Sequence, residues 1–174
     1  MFTKQYEQIL AYSLAGLPEG TTTFYNASGS PVTANSADMG VDYLKLRPLR
    51  YAFQLKTGGS SAGYISFWQG ASTPSKDAVK PDGTEVTSFS ATVVYKSEAV
   101  ENGVNLTRLY TLTNTASSPI TIDTVCLCAE FSWKYSGGNM VFLCDKTQLE
   151  TPVTIPAGGV GQITYTIHID YPTA

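Results

Sequence analysis

Charged side chains are scarce in this 174-residue chain, at 14% of the residues, where soluble domains average roughly 25%. Eleven basic residues stand against fourteen acidic ones, giving a net charge of -3. The only basic cluster is Lys45, Arg47 and Arg50. Because nucleic-acid binding needs clustered Lys and Arg to neutralise phosphates, the sequence predicts no nucleic-acid partner.

Metal-binding residues are also few, with one histidine and three cysteines. Cys126 and Cys128 are two residues apart on one face of a predicted strand, a spacing that does not favour a bond between them. No CxxC motif accompanies them, so we predict no metal site and no other cofactor. We expect buried free thiols, and the alternative is a disulfide between Cys144 and one of the other two.

Long apolar runs are absent as well. No stretch of about 20 apolar residues occurs, so the sequence predicts no membrane-spanning helix and no membrane partner. Residues 1–20 lack the apolar core of a secretion signal, because Lys4, Glu7 and Gln8 interrupt it. We therefore expect synthesis in the cytoplasm without export.

The first 20 residues instead predict a short amphipathic helix in an N-terminal arm. Thr3 is a candidate N-cap, and Gly16 and Pro18 are stop signals. Four apolar residues follow at helical spacing: Tyr6, Ile9, Leu10 and Leu14. Such a short helix is unstable alone, so this stripe must dock on the rest of the chain or on another subunit.

Residues 21–174 predict an all-β domain, an antiparallel β-sandwich of jelly-roll-like type. Short runs rich in Thr, Val, Tyr and Phe alternate with Gly, Pro, Asn and Ser turns. The clearest hairpin spans residues 90–114, with Asn102 and Gly103 predicted to supply the positive φ angles of its turn. Residues 160–170 predict a closing strand. Its predicted buried face carries Ile163, Tyr165, Ile167 and Ile169.

No catalytic motif is evident. His168 and Asp170 share the polar face of the closing strand, and could be a proton-transfer pair or a solvated surface pair; without a Ser or Cys nucleophile motif we favour the second. A calcium site or a glycosidase carboxylate pair could assemble from separate strands, but no calcium-loop motif is present. We therefore predict a protein that is not an enzyme and has no catalytic residues.

Aromatic side chains are plentiful, with eleven Tyr, seven Phe and two Trp. Trp68 and Trp133 both lie near predicted strand ends. Such rings could form stacking platforms for a sugar, or they could be core or subunit-contact residues. We favour the second interpretation.

Three segments together resemble small structural proteins of tailed bacteriophages. They are "SFWQGASTPSKDAVKPDG" at 66–83, "LTRLYTLTNTASSPITIDTVCL" at 106–127 and "LCDKTQLETPVTIPAGGVGQITYTI" at 143–167. The shared pattern is a strand ending in glycine before a Thr-Pro loop, a strand into Asn-Thr and a Ser-Pro turn, and a Pro-Ala-Gly-Gly turn before a Tyr-Thr-Ile strand. The resemblance implies a β-sandwich bound to a virus particle, without enzymatic activity or cofactor.

From these features we predict a bacteriophage virion structural protein, a capsid decoration or cement component or a neck (collar) component. It would contact other virion proteins and copies of itself. The predicted partner-contact residues are Tyr6, Ile9, Leu10, Leu14, Trp68 and Trp133. The alternative is a receptor- or carbohydrate-binding module of a tail tip or fibre, with Trp68 and Trp133 contacting the ligand.

Overall fold

A computed structural model describes residues 2–15, 21–35, 45–46, 54–55, 64–132 and 139–170. These residues form one helix, α1 (Lys4–Ala15), and strands in all the other elements. The strands are β1 (Thr21–Tyr25), β2 (Pro31–Asn35), β3 (Lys45–Leu46), β4 (Gln54–Leu55), β5 (Tyr64–Gln69), β6 (Thr84–Val86), β7 (Phe89–Val100), β8 (Gly103–Asn114), β9 (Ile120–Ser132), β10 (Asn139–Ile155) and β11 (Val160–Asp170).

The chain divides into two compact units. Unit 1 consists of Met1–Glu85 and Ile122–Pro152, and unit 2 consists of Val86–Thr121 and Val153–Ala174. Each unit is therefore built from two separate stretches of sequence, and strands β9 and β10 contribute residues to both. The predicted boundary between arm and sandwich, at residue 20, lies outside the described residues.

Unit 1 contains the larger sheet, in the order β10-β9-β5-β4, with β3 on β9 and β6 on β5. Strand β9 pairs antiparallel with both β3 and β5, whereas β4 pairs parallel with β5. The antiparallel β1–β2 pair packs on this sheet, where Phe24 meets Phe142 edge to face at 6.3 Å between ring centroids. The predicted all-β fold with a short N-terminal helix is confirmed.

Helix α1 is held on unit 1 by polar and apolar contacts. The predicted cap is confirmed, since the Tyr6 backbone N–H donates to Thr3 Oγ1 at 3.2 Å. The same hydroxyl donates to the Leu143 carbonyl of β10 at 2.8 Å. The Gln5 amide bonds both the N–H and the carbonyl of Tyr25 at 2.7 Å, which ties the helix to β1.

The core of unit 1 contains all three cysteines. Cys126 and Cys128 pack with Leu143 in one fully buried cluster, and Cys144 is buried on the neighbouring strand. The three thiols are free, as predicted.

Unit 2 contains a three-stranded antiparallel sheet in the order β11-β8-β7. Strand β8 is the central strand, and its register with both neighbours is unbroken, from Gly103 opposite Val100 and Asp170 to Thr113 opposite Ser90 and Val160. The inner face of this sheet buries Tyr110 and Leu112 completely.

The turn of the β7–β8 hairpin differs from the prediction. Val100 pairs with Gly103, so the turn residues are Glu101 and Asn102, and neither Asn102 nor Gly103 has a positive φ angle. The glycine is required for another reason. A Cβ at Gly103 would lie 2.1 Å from the Ile169 carbonyl oxygen, because β11 passes close to this backbone. The sequence signal for glycine was correct, but its cause is close approach of a strand.

The two turns at the far end of unit 2 are fixed by one side chain, Asn114, which is 2% exposed. Its amide nitrogen donates to the carbonyls of Ser118, Ile155 and Pro156 at 2.9, 3.0 and 3.1 Å. Its amide oxygen accepts the Ala116 N–H at 2.8 Å. The Asn-Thr and Pro-Ala-Gly-Gly segments are therefore two parts of one hydrogen-bonded corner.

Candidate functional site

Exposed apolar side chains are concentrated on the sheet of unit 2, which we call the contact sheet (Phe89–Val100, Gly103–Asn114 and Val160–Asp170). Within the described part of the chain, five large hydrophobic side chains are exposed. They are Tyr25, Val94, Tyr95, Val160 and Ile169. All but Tyr25 lie on the contact sheet, on its two outer strands β7 and β11. Val94 and Val160 lie on the outer face of this sheet and Tyr95 and Ile169 on its inner face, so each edge strand has one exposed apolar side chain on either face. Exposed apolar side chains on edge strands are a feature of strands that contact other proteins.

The inner face of the contact sheet is buried at one end and open at the other. Ile163, Tyr165 and Ile167 are buried as predicted, but Ile169 is 48% exposed. The prediction that all four are buried is therefore wrong for Ile169, because the inner face becomes exposed toward the β7–β8 turn. On the opposite edge strand, Tyr95 is 56% exposed; it lies opposite Arg108 of β8, which in turn lies opposite the buried Tyr165 of β11.

Arg108 covers part of this open end. Its guanidinium lies 4.4 Å from the centroid of the Tyr95 ring and donates to the Thr107 carbonyl at 3.0 Å. Such cation–π stacking orders an exposed tyrosine ring without burying it. Burial, together with Tyr95, raises the pKa of the neighbouring Tyr110 well above its ordinary value, while Arg108 acts in the opposite direction. On the inner face, the buried and neutral Tyr110 therefore lies next to the exposed ring of Tyr95.

The outer face of the contact sheet is polar apart from an apolar strip. Thr107 and Thr166 hydrogen-bond across strands at 3.2 Å, and Gln162 reaches Thr111 at 3.3 Å. Val94, 61% exposed, is paired with the half-buried Leu109. A surface of hydroxyls with small apolar strips can pack against another protein without burying unpaired charge.

His168 lies on this outer face with two partners. Its Nδ1 is 2.7 Å from Asn105 Oδ1 and its Nε2 is 3.0 Å from Asp170 Oδ1. Asp170 has an 82% exposed side chain, and the His168 side chain is 42% exposed. Among the residues that the structure describes, no serine or cysteine hydrogen-bonds to the imidazole, and the pair lies at an exposed strand end. The geometry fits the solvated surface pair that the sequence favoured.

The predicted contact residues of α1 are not exposed as a stripe that could bind another subunit would be. Tyr6 and Ile9 are buried in unit 1, Leu10 is half-buried, and the Leu14 side chain lies outside the described residues. Burial and the neighbouring Cys144 raise the pKa of Tyr6 to about 12. In this chain the stripe therefore docks on its own sheet, which was the first of the two predicted possibilities. Contact of these residues with a partner stays a prediction.

The two tryptophans cannot be compared directly, since Trp133 lies outside the described residues. Trp68 is half-buried, packs against the Cys126–Cys128–Leu143 cluster, and donates its indole N–H to Ser66 Oγ at 2.8 Å. The ring is thus part of the packing of unit 1. Its predicted contact with a partner stays a prediction.

Sequence reasoning missed a polar cluster beneath the 70–83 loop of unit 1. Lys146 on β10 has a side chain only 1% exposed, and its ammonium lies 2.6 Å from Asp82 Oδ1 and 2.9 Å from Ser72 Oγ. Ser72 in turn donates its hydroxyl to Asp82 Oδ2. Burial would raise the pKa of the Asp82 carboxyl, but hydrogen bonds from Lys146 and Ser72 outweigh this and lower it.

This cluster fixes the loop rather than presenting a reactive group. Ser72 uses its hydroxyl both as donor and as acceptor inside the cluster. The Gly70 N–H donates to Asp123 Oδ2 at 2.6 Å, which secures the start of the same loop. Lys76 in the middle of the loop forms an ion pair with Glu7 of α1 at 3.3 Å. Residues 142–146 of β10 are buried without alternation, so strand periodicity does not predict a buried Lys146, and nothing in the sequence marks Asp82 as its partner.

The thiols of unit 1 are held in the protonated, unreactive form. Burial raises the pKa of Cys126 far above its ordinary value, with a smaller contribution from Cys128. Burial likewise raises the pKa of Cys144. Because the thiolate is the nucleophile and the metal ligand, these cysteines are poor candidates for either role.

Within the described residues, no group of three or more His, Cys, Asp and Glu side chains is arranged to hold a metal ion. The one described helix is too short to cross a membrane. Comparisons with protein-family models, curated proteins and solved structures find no significant match to this chain.

Proposed function

We propose that this chain is a structural protein of a tailed-bacteriophage particle, a capsid decoration or cement component or a neck (collar) component. It acts by contacts with other virion structural proteins and with copies of itself, and it catalyses no reaction. In this proposal it is made in the host cytoplasm and ends in the virion.

The observation that carries the proposal is the location of the exposed apolar side chains. Val94, Tyr95, Val160 and Ile169 are each between 48% and 62% exposed, and all lie on the outer strands of the contact sheet. A protein that works by contact needs exposed apolar side chains at its contact strands, because burying apolar area is the main favourable term in association. The low charged fraction of 14% supports the same conclusion, since few charges would be desolvated in an assembly.

The resemblance of residues 66–83, 106–127 and 143–167 to small phage structural proteins supplies the virion setting. Structural detail explains why two of those segments belong together. Asn114 of the second segment holds the carbonyls of Ile155 and Pro156 in the third. The two segments thus form one hydrogen-bonded corner. Their shared sequence pattern is therefore explained by a structural role, and no catalytic role is needed to explain it.

Purified particles provide the test. Particles from a phage that encodes this chain are separated on a density gradient, and the chain and the major capsid protein are quantified by mass spectrometry. We expect a constant ratio across the particle peak. A count on the order of hundreds of copies would favour a capsid position, and about a dozen would favour the neck, since copy number follows the symmetry of the site. Recovery of the chain only in the soluble fraction would refute the proposal.

Surface variants connect the test to the contact sheet. Val94→Ser and Val160→Ser each remove one exposed apolar side chain, and their occupancy on particles should fall. The matched control is Tyr25→Ser, which changes the one exposed large hydrophobic that the described residues place outside the contact sheet. Equal occupancy for all three variants would remove the contact sheet from the proposal.

A further inference from the structure

Strand β7 is an edge strand with unusually complete exposure. Among the described strands it pairs only with β8, and every side chain from Val94 to Ala99 is exposed. The strand contains no proline, and its register with β8 runs without a bulge from Phe89 to Val100. Natural edge strands are usually shortened, bulged or blocked, because an open edge is a template for another strand.

The hairpin turn determines which backbone groups of β7 face away from β8. The turn has two residues, so its flanking pair, Val100 and Gly103, is a hydrogen-bonded pair. Hydrogen-bonded and non-hydrogen-bonded pairs alternate along an antiparallel ladder. The N–H and C=O groups of Tyr95, Ser97 and Ala99 therefore point to the outer edge.

Two opposite charges sit beside these groups. Lys96 and Glu98 lie on the outer face of the sheet, and their side chains are 63% and 52% exposed. Within one chain Lys96 Nζ lies 2.6 Å from Glu98 Oε2. A single charge on an edge discourages pairing, but two opposite charges two residues apart can match an inverted copy of themselves.

In an antiparallel pair of two β7 strands, only one position of the two-fold axis places each lysine opposite a glutamate. With the axis at Ser97, Lys96 lies opposite Glu98 of the second copy and Glu98 opposite its Lys96. Both are non-hydrogen-bonded pairs, whose Cα atoms are about 4.5 Å apart, close enough for ion pairing. Moving the axis to Lys96 or to Glu98 places two like charges directly opposite each other, which is destabilising.

The same axis also pairs the exposed apolar residues. On the outer face Val94, 61% exposed, lies opposite Val100, so a Val–Val pair flanks the charges on each side. On the inner face Tyr95, 56% exposed, lies opposite the small Ala99, which leaves space for the ring. The hydrogen-bonded pairs of this register are those of Tyr95, Ser97 and Ala99, the residues whose backbone groups point outward. Charge, side-chain size and backbone pattern thus agree on one register.

From these matches we infer that two copies of the chain associate through β7, which pairs antiparallel with β7 of the second copy about a two-fold axis at Ser97. This inference rests on the proposed function, which includes contacts between copies of the chain, and it specifies where one such contact lies. The contact joins two three-stranded sheets into one continuous six-stranded sheet and covers the β7 edge of each.

Charge reversal tests the register with the full-length chain. Sedimentation equilibrium should give the wild type twice its 18.7 kDa mass. Lys96→Glu and Glu98→Lys each place like charges opposite each other, and each should weaken the dimer by roughly tenfold or more. An equimolar mixture of the two variants restores both ion pairs and should recover the dimer, as should the double variant that carries both changes.

Two charge controls and a pair of cysteine variants complete the test. Lys4→Glu and Glu150→Lys make the same charge changes at exposed positions outside β7, and they should dimerise like the wild type. Ser97→Cys places two thiols across the axis at about 5.5 Å between Cα atoms, within disulfide range, so mild oxidation should cross-link it. Thr92→Cys, also exposed on β7, should not cross-link, because Thr92 does not lie opposite itself.

Each outcome supports or overturns the inference. A monomeric wild type, single reversals that dimerise as well as the wild type, or a mixture that fails to recover the dimer would overturn it. So would equal cross-linking at positions 92 and 97. The measurement uses purified chain only, so its failure leaves the particle result untouched. A dimer that is absent from particles would instead refute the proposed function and leave the β7 contact standing.

Discussion

Removing the Asp82 carboxylate should destabilise the chain much more than removing its lysine partner. Lys146 is 1% exposed while Asp82 is 38% exposed, so the two ends of the ion pair have unequal access to water. Asp82→Ala removes a charge-assisted hydrogen bond of 2.6 Å, worth about 1.5–3 kcal/mol, and leaves an ammonium group buried with less compensation. We expect a total loss of about 3 kcal/mol in the free energy of unfolding.

Lys146→Met should destabilise the chain less than Asp82→Ala does. Methionine fills a similar volume without a charge, and the remaining Asp82 carboxylate can be hydrated through its exposed side, so the expected loss is about 1 kcal/mol. The double variant should be close to Lys146→Met alone. Urea unfolding at pH 7 followed by far-ultraviolet circular dichroism measures all three. A loss for Asp82→Ala that is no larger than the loss for Lys146→Met would refute the reasoning.

The same pair predicts a pH dependence. Folding lowers the pKa of Asp82, so between the folded and unfolded values the unfolded chain binds more protons. The contribution of Asp82 is therefore complete above the unfolded pKa of about 4 and is lost as the pH falls through the folded pKa. The difference in urea midpoint between wild type and Asp82→Ala should shrink on acidification. A difference that grows below pH 4 would contradict this sign.

Three other experiments, two on variants and one on the wild-type thiols, have expected outcomes. Gly103→Ala should separate the end of β11 from β8, because the new Cβ would lie 2.1 Å from the Ile169 carbonyl oxygen, and hydrogen exchange should increase locally at residues 168–170. Asn114→Asp should destabilise more than Asn114→Ala, since a carboxylate would face the three carbonyls that the amide now serves; equal urea midpoints would contradict this. Native protein should react with a thiol reagent at pH 8 far more slowly than urea-unfolded protein, because burial raises the pKa of Cys126 and Cys144.

Local periodicity was sufficient to predict most of the fold. The helix with its Thr3 cap, the β7–β8 hairpin and the alternation of the closing strand all follow from spacing, and the structure confirms them. The hairpin turn was placed one residue too late, because an Asn-Gly pair is a strong turn signal and the sequence does not show that β11 passes beside Gly103. Tertiary approach explains that glycine, and a single-strand pattern cannot reveal it.

The candidate contact surface was less accessible to sequence reasoning. Ile169 continues the apolar alternation of Ile163 and Ile167, yet it is exposed because the inner face opens toward the hairpin turn. The stripe of α1 has the amphipathic pattern of a docking arm, but Tyr6 and Ile9 are buried in their own unit. Amphipathicity indicates that a face is covered, whereas only the three-dimensional packing identifies what covers it.

The attachment of α1 to β10 has a consequence for synthesis. Thr3 bonds to Leu143, 140 residues further along the chain, and its backbone N–H also reaches the Cys144 carbonyl at 2.8 Å. At ordinary translation rates α1 emerges on the order of ten seconds before the strand that receives it. During that interval Thr3 lacks its acceptor on β10 and the side chains of Tyr6 and Ile9, which are buried in the folded unit, have no complete core to enter. We therefore expect the nascent helix to be open to chaperone binding or to aggregation with neighbouring nascent chains.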